Sequence, residues 1–239
     1  MVQTAPRTAI SGPALVRLLA RFAAPDQAVA VPASSLSDRL SQWLGWTDAI
    51  ALSTALAGDP PAVSAAVSAP ESEIDAVVNA HDALMRRLTR DERKEVRGRN
   101  RRAMPPPPDL PIDYAVFRQD YLSAQQSMET DIGAWRTRLR AAVAAQSTDM
   151  TRLAVVDAVM EQALAARERT LLSQVPVLLG KHFERLKRAN ADAETGTQTQ
   201  AWLDDFRRDM QHVLLAELEI RYQPVEALLA ALRHPSSPR

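Results

Sequence analysis

Residues 114–143 read YAVFRQDYLSAQQSMETDIGAWRTRLRAAV, and their apolar side chains recur every three or four positions. That spacing places the apolar side chains along one face of an α-helix. At about 1.5 Å per residue, the segment forms a rod of roughly 50 Å. A rod of this kind is stable when other helices pack on it. The apolar face consists of Tyr114, Phe117, Tyr121, Met128, Ile132, Trp135, Leu139 and Val143.

The chain after this rod continues the same pattern and predicts an all-α fold. The cluster Ser147 to Asp149 predicts a turn with new helix caps. An apolar stripe resumes from Met150 to Leu171, so we expect two antiparallel helices. Pro176 predicts a break or the first turn of a further helix, because proline lacks the N–H that a helix interior needs.

The end of the chain is predicted to form one more long helix. Residues 190–200 are polar and lack apolar periodicity, so we expect a mobile loop that is long enough for a crossover. Apolar residues then recur from Trp202 to Leu232, and Pro224 is expected to kink or restart this helix. Residues 234–239 are a predicted frayed tail.

The N-terminal part predicts shorter helices. One helix is expected to start at Pro13, which suits the first helical turn. A second helix of about five turns is expected from a capping box at Ser35 to a stop near Gly58. A third is expected to start at Ser68, where the capping-box spacing recurs.

Four consecutive prolines at 105–108 indicate a domain boundary, because such a run forms a stiff polyproline II segment. We therefore predict an elongated helical bundle of long antiparallel helices with a smaller N-terminal helical unit. The predicted division is an N-terminal helical unit at 1–104, a proline-rich linker at 105–111, a C-terminal bundle at 112–233 and a tail at 234–239.

Composition excludes several classes of function. The 29 basic and 29 acidic side chains cancel, so no net field draws the whole molecule to nucleic acid or to an anionic membrane. The absence of cysteine excludes disulfides, thiolate metal sites and a cysteine nucleophile, and it favours a cytoplasmic location. Arg17 and Arg21 interrupt the N-terminal apolar segment, so we expect no signal peptide. No stretch approaches the ~20 apolar residues of a membrane span.

A metal site has one weak candidate in the sequence. Asp205, Asp209 and His212 share one helix face at spacings of four and three. A di-iron bundle requires glutamates and a Glu-x-x-His motif on each of two helices, which the chain lacks. We therefore interpret the three residues as a solvated helix face, and we expect no metal and no cofactor.

Catalytic motifs are also missing from the sequence. No glycine-rich phosphate-binding loop occurs, and no serine lies in a nucleophile elbow. Glu161 and Glu168 are interpreted as single members of polar helix faces. We therefore expect no catalytic residue and no enzymatic activity.

The sharpest local feature is a basic segment at 86–102, with six more basic than acidic side chains. It could be a solvated helix end, a surface for an acidic protein, or a contact for nucleic-acid phosphates. No aromatic residue occurs within it, so base stacking is unsupported and any DNA binding should be weak, non-specific and salt-sensitive. This candidate interaction surface consists of Arg86, Arg87, Arg90, Arg93, Lys94, Arg97, Arg99, Arg101 and Arg102.

The tryptophans allow two interpretations. Trp43 and Trp46 are three residues apart and could anchor a partner, since tryptophan is enriched in binding hot spots. Burial in the core is the preferred interpretation, because a small helical unit needs large apolar side chains. The same interpretation applies to Trp135 and Trp202.

Four stretches of the chain match a known sequence pattern: Trp43 to Ile50, Phe117 to Glu129, Val175 to Leu186, and Leu214 to Leu232 around Gln223-Pro224-Val225-Glu226. In these stretches the chain resembles the uncharacterised bacterial family named domain of unknown function 3348. The resemblance covers most of the chain and implies no activity, catalytic residue or cofactor. It implies a chromosomal setting beside cell-envelope and motor-channel-like proteins.

The expected function is therefore a non-enzymatic helical scaffold or adaptor in a protein assembly, associated with cell-envelope machinery. The alternative is a nucleic-acid-associated helical protein that uses residues 86–102. A protein partner is expected in the first case, and self-association is open in both, because an amphipathic stripe is the same whether it faces its own chain or a copy.

Overall fold

The computed structural model describes residues 13–22, 45–58, 70–89, 113–192 and 201–234, which form α-helices and no strand. This confirms the all-α prediction. The helices are α1 (Ala14–Phe22), α2 (Trp46–Ala57), α3 (Pro70–Thr89), α4 (Tyr114–Ala144), α5 (Thr148–Leu172), α6 (Val175–Asp192) and α7 (Ala201–Arg233).

Helix α4 is the predicted rod, and it contacts α3, α5, α6 and α7. It begins where the Asp113 side chain accepts a hydrogen bond from Ala115 N at 3.0 Å. The turn to α5 is capped by Ser147, whose side chain accepts from Met150 N at 3.2 Å. Both caps satisfy backbone N–H groups that have no partner within the helix. The antiparallel α4–α5 pair was predicted correctly.

Helix α7 runs parallel to α4, unlike α5. Tyr114 lies beside Phe206 and Trp135 lies beside Tyr222, each with ring centroids 6.1 Å apart, so positions on both helices increase together. The antiparallel α5 returns the chain to the first half of α4, where Gln125 donates to the Leu172 carbonyl. Helix α6 stays beside the start of α4, and α7 begins there, since Phe183 of α6 contacts Trp202. The helix continues through Pro224 without ending.

Helix α6 begins at Val175, so the prediction that Pro176 lies in the first turn of a helix is confirmed. The helix extends to Asp192, so it includes the first three residues of the predicted loop. The remainder of that loop, 193–200, lies outside the described residues, as does the predicted tail from 235 onward.

The N-terminal helices pack on the long helices. Leu15 and Phe22 of α1, together with Val77 and Leu84 of α3, belong to the same buried cluster as Tyr121 and its neighbours in α4 and α7. The linker at 105–111 lies outside the described residues, so the predicted domain division stays a prediction.

The predicted start of the second helix was wrong. Gly45 is extended, with φ −69° and ψ 166°, so α2 begins at Trp46 rather than running through from Ser35. The Gly45 N–H donates to the Asp48 carboxylate at 3.0 Å, which caps the helix at this point. Ser35 itself lies outside the described residues.

Two helical glycines are expected to change the free energy of unfolding in opposite directions when each is replaced by alanine. A Cβ at Gly133 in α4 would meet nothing within 4 Å, so Gly133→Ala should raise the free energy of unfolding by about 0.5–1 kcal/mol. A Cβ at Gly180 in α6 would lie 2.8 Å from the Tyr114 ring, whose hydroxyl donates to the Pro176 carbonyl.

We expect Gly180→Ala to lower the free energy of unfolding, because the clash outweighs the same propensity gain. Urea denaturation followed by circular dichroism checks both variants. Equal stabilisation by the two substitutions would contradict the close α4–α6 contact.

Candidate functional site

The basic segment is only partly described, because the structure ends α3 at Thr89. Arg86 and Arg87 lie exposed in the last turn of α3, where positive charge suits the helix C-terminus. Arg87 donates to Ser127 Oγ at 2.5 Å and to Asp131 Oδ2 at 3.2 Å, so it joins α3 to α4. The other seven residues, Arg90, Arg93, Lys94, Arg97, Arg99, Arg101 and Arg102, lie outside the described residues, and their role stays a prediction.

Trp46 is 82% exposed, so its assignment to the core was wrong. The reason lies in the packing of α2, which contacts α5 and contains no buried residue. Ile50 and Leu56 of α2 are also exposed. Trp135 and Trp202 are buried, as predicted, and Trp43 lies outside the described residues.

The three residues considered for a metal site do not converge. Asp205 accepts from Arg208 at 2.9 Å, Asp209 lies against His182, and His212 is exposed. Across the helices that the structure describes, no three His, Cys, Asp or Glu side chains are grouped as metal ligands.

Asp209 belongs to a cluster around the buried His182 that the sequence did not reveal. His182 Nε2 lies 2.7 Å from Asp209 Oδ2, and Arg185 lies 3.2 Å from His182 Nδ1. Arginine can only donate, so Nδ1 accepts and the proton is on Nε2. The Phe22 ring stacks on the imidazole at 4.2 Å, and Arg185 donates to the Phe22 carbonyl at 2.8 Å. The cluster therefore fastens the C-terminal end of α1 to α6 and α7.

A second buried network surrounds Glu217 of α7, which is 0% exposed. Its carboxylate accepts from the Tyr121 hydroxyl at 2.7 Å and from Gln125 Nε2 at 3.0 Å, both on α4. Arg221, one turn later, lies 2.9 Å from Glu217 and also 2.9 Å from Glu168 of α5. The charge of Glu217 is thus matched within the core, as a buried carboxylate requires.

The sequence contained a signal for Glu217. The residue lies between Leu214 and Leu218 on the apolar side of the last helix, where a charged side chain must be buried with partners. Glu168, interpreted from sequence as a single surface residue, is one of the members of this network.

Four ion pairs between two arginines of α4 and two carboxylates of α5 join these helices. Arg136 lies 2.8 Å from Asp157 and 3.3 Å from Glu161, and Arg140 lies 3.0 Å from Asp157 and 2.5 Å from Glu161. Glu161 therefore acts in helix packing. The two positive charges of the arginines and the two negative charges of the carboxylates cancel within this cluster.

A groove of about 470 Å³ lies between α5 and α7, with α4 as its floor. Ile132 and Gly133 form part of the floor, and apolar side chains line both walls: Met160, Leu164 and Leu171 from α5, and Ile220 and Pro224 from α7. Arg221 and Glu168 border the same groove. Its apolar surface can bind an apolar segment, since burial of such surface is favourable.

Comparison with known families identifies one that matches nearly the whole chain. The family described as "Protein of unknown function (DUF3348)" matches residues 1–234. No curated protein and no solved structure matches. None of the described helices is both long and apolar enough to cross a membrane.

The Glu217 network predicts that two arginines of α7 contribute very different amounts to the free energy of unfolding. Arg221→Met removes a charge partner of a fully buried carboxylate, so we expect the free energy of unfolding to fall by about 3 kcal/mol. Arg208→Met is the matched control, because its partner Asp205 is exposed and we expect a loss below about 1 kcal/mol. Chemical denaturation of both variants measures the difference, and equal losses would contradict the role of Glu217.

The three tyrosines predict an unusual alkaline titration. Burial raises the pKa of Tyr114 to about 12, although Arg118 acts in the opposite direction. Burial and then the Glu217 carboxylate hold the pKa of Tyr121 far above its usual value. Burial, with a contribution from Glu226, raises the pKa of Tyr222.

Each phenol keeps its proton to higher pH in the folded than in the unfolded chain. The stability from Tyr114 is therefore complete below its unfolded pKa of 10.0 and is lost as the pH rises through about 12. We expect the ultraviolet absorbance of tyrosinate to show no midpoint near 10 in the folded protein. In denaturant, the titration midpoints of all three tyrosines should return to about 10. A midpoint of about 10 in the folded protein would contradict the burial of these side chains.

Proposed function

We propose, on the premise that this chain belongs to the DUF3348 family of proteins of unknown function, that it is a non-enzymatic helical scaffold or adaptor in a protein assembly. We place its action in the cytoplasm, a location that the absence of cysteine favours. The observation that carries the proposal is the exposed apolar face of α2.

Three large apolar side chains of α2 are exposed: Trp46, Ile50 and Leu56. The charged residue of the helix, Asp48, caps its first turn and is half-buried. The outward face is therefore uncharged, and a tryptophan at its N-terminal end is the side chain type most enriched in binding hot spots. Exposed apolar surface of this kind is typical of protein–protein contact sites.

The carboxylates inside the described part of the bundle have structural partners, which supports a role in helix packing. Glu217 and Asp209 are each bonded to side chains of a neighbouring helix. Asp157 and Glu161 are bonded to the arginines of α4. These carboxylates hold helices in register, so we assign contact with partners to the surface of α2.

The alternative function uses the basic segment at 86–102 to contact nucleic-acid phosphates. Its support is the excess of basic side chains in the sequence. The two functions separate experimentally because they use different residues of the chain.

Partner capture tests the proposal. The full-length chain is cross-linked in native extract, and the captured proteins are identified by mass spectrometry. Trp46→Ala should lower the yield of the captured partner about tenfold or more, as expected for a hot-spot residue. Val116→Ala is the matched control, since Val116 is an exposed apolar residue of another helix and should leave the yield unchanged.

The variant R97A/R99A/R101A/R102A distinguishes the alternative. It should leave partner capture intact and abolish any salt-sensitive DNA binding. Absence of a partner, or a partner captured equally by the Trp46→Ala chain, would overturn the adaptor proposal.

A further inference from the structure

Helix α1 packs on the bundle in the way that a short amphipathic helix packs on a partner protein. Its large apolar side chains recur at positions i, i+3, i+4 and i+7, and they are Leu15, Leu18, Leu19 and Phe22. The first and the last of these are 4% and 5% exposed, and the two between them are half-buried against the core. This spacing is the anchor pattern of peptide helices that bind in an apolar groove.

The end of α1 is bound through its backbone. Phe22 is the last residue of α1, and the last carbonyl groups of a helix have no donor within the helix. Arg185 of α6 donates to the Phe22 carbonyl at 2.8 Å, and its positive charge suits a helix C-terminus. Because Arg185 binds a backbone atom, it can bind the end of any helix that reaches this position.

The ring of Phe22 is bound by His182 of α6, with ring centroids 4.2 Å apart and planes 19° apart. Asp209 of α7 holds the imidazole from its Nε2 side at 2.7 Å. On the Nδ1 side, the imidazole accepts from Arg185 at 3.2 Å. The group that stacks on the ring and the group that binds the carbonyl therefore hold each other in place. Together they favour an aromatic residue at the end of the bound helix.

The helices beneath α1 are joined to each other by contacts of their own. Phe183 of α6 packs on Trp202 and Phe206 of α7, with ring centroids 5.2 and 5.0 Å apart. Tyr114 of α4 packs on Phe183, and its hydroxyl donates to the Pro176 carbonyl. This aromatic cluster consists of residues of α4, α6 and α7. We therefore expect the surface under α1 to keep its shape when α1 leaves.

Helix α1 is itself weakly held. It contains nine residues, and isolated helices of that length are marginal in water, so its contacts with α6 and α7 stabilise the helix. Ordering these residues costs conformational entropy, which offsets much of the gain from burying two large side chains. Such a segment can open locally while the bundle stays folded.

We propose that the surface of α6 and α7 under α1 is a docking site for an amphipathic helix of a partner protein, and that α1 occupies this site as a displaceable competitor. The partner helix carries large apolar side chains at i, i+3, i+4 and i+7, and the last of them is aromatic and ends the helix. This inference goes beyond the proposed function, because the site is separate from α2. Binding of the partner releases α1.

The probe for this site is a fluorescein-labelled peptide of residues 11–24. The full-length L15E/F22A chain loses both buried anchors of α1, so it should bind the peptide with a dissociation constant in the micromolar range, measured by fluorescence anisotropy. The wild-type chain should bind at least about tenfold more weakly, because its own α1 is tethered and competes. Val16→Glu is the matched control, since Val16 lies on the exposed side of α1, and it should behave as the wild-type chain.

Variants of the peptide and of the site test the recognition pattern. A peptide with Phe22 replaced by alanine should bind L15E/F22A at least about tenfold more weakly. A peptide with Arg17 and Arg21 replaced by glutamine should bind equally, since both side chains are exposed. L15E/F22A/R185A should lose at least about tenfold in affinity for the unchanged peptide, because the donor to the helix end is missing.

Hydrogen exchange of the wild-type chain is a second test that needs no substitution. The amides of α1 should be protected at least about a hundredfold less than the core amides of α7, because α1 opens locally. Equal protection of the two helices overturns the proposal. So does a peptide that binds wild-type and L15E/F22A chains equally, or one that fails to bind an L15E/F22A chain with wild-type helix content.

Sedimentation velocity distinguishes the remaining occupant of the site. The wild-type chain and the Phe22→Ala chain should sediment alike, because α1 occupies the site of its own chain. A wild-type dimer that Phe22→Ala dissociates would assign the site to α1 of a second copy and overturn the assignment to a partner protein.

Discussion

The buried carboxylate of Glu217 is the constraint on which the bundle depends. A charge removed from water must be matched by donors at fixed positions, and these donors come from α4 and from the next turn of α7. Sliding α7 along α4 by one turn would separate Glu217 from Tyr121 and Gln125. Arg221 extends the constraint to α5 through Glu168, so one carboxylate sets the register of three long helices.

The same principle applies at the edges of the bundle. Arg136 and Arg140 fix α5 on α4, and His182 with Arg185 fixes the end of α1 on α6 and α7. Apolar burial supplies the larger part of the stability, but it is non-directional and leaves register weakly specified. In this protein the polar contacts select among the packings that burial alone would allow.

Among the described helices, exposed large apolar side chains are most frequent on α2 and α5. Helix α2 packs on α5 and presents Trp46 to solvent, while Leu171 of α5 borders the groove. The proposed contact with a partner protein uses the α2 side of this pair.

The sequence by itself determined the helices of the C-terminal half and the cap at Ser147, because spacing and capping are properties of neighbouring residues. It also determined that Trp135 and Trp202 are buried. Only the tertiary structure decided that α7 runs parallel to α4, that Trp46 is exposed, and that Asp209 pairs with His182. These facts depend on which helix lies beside which, and residues far apart in the chain meet through packing that no local pattern encodes.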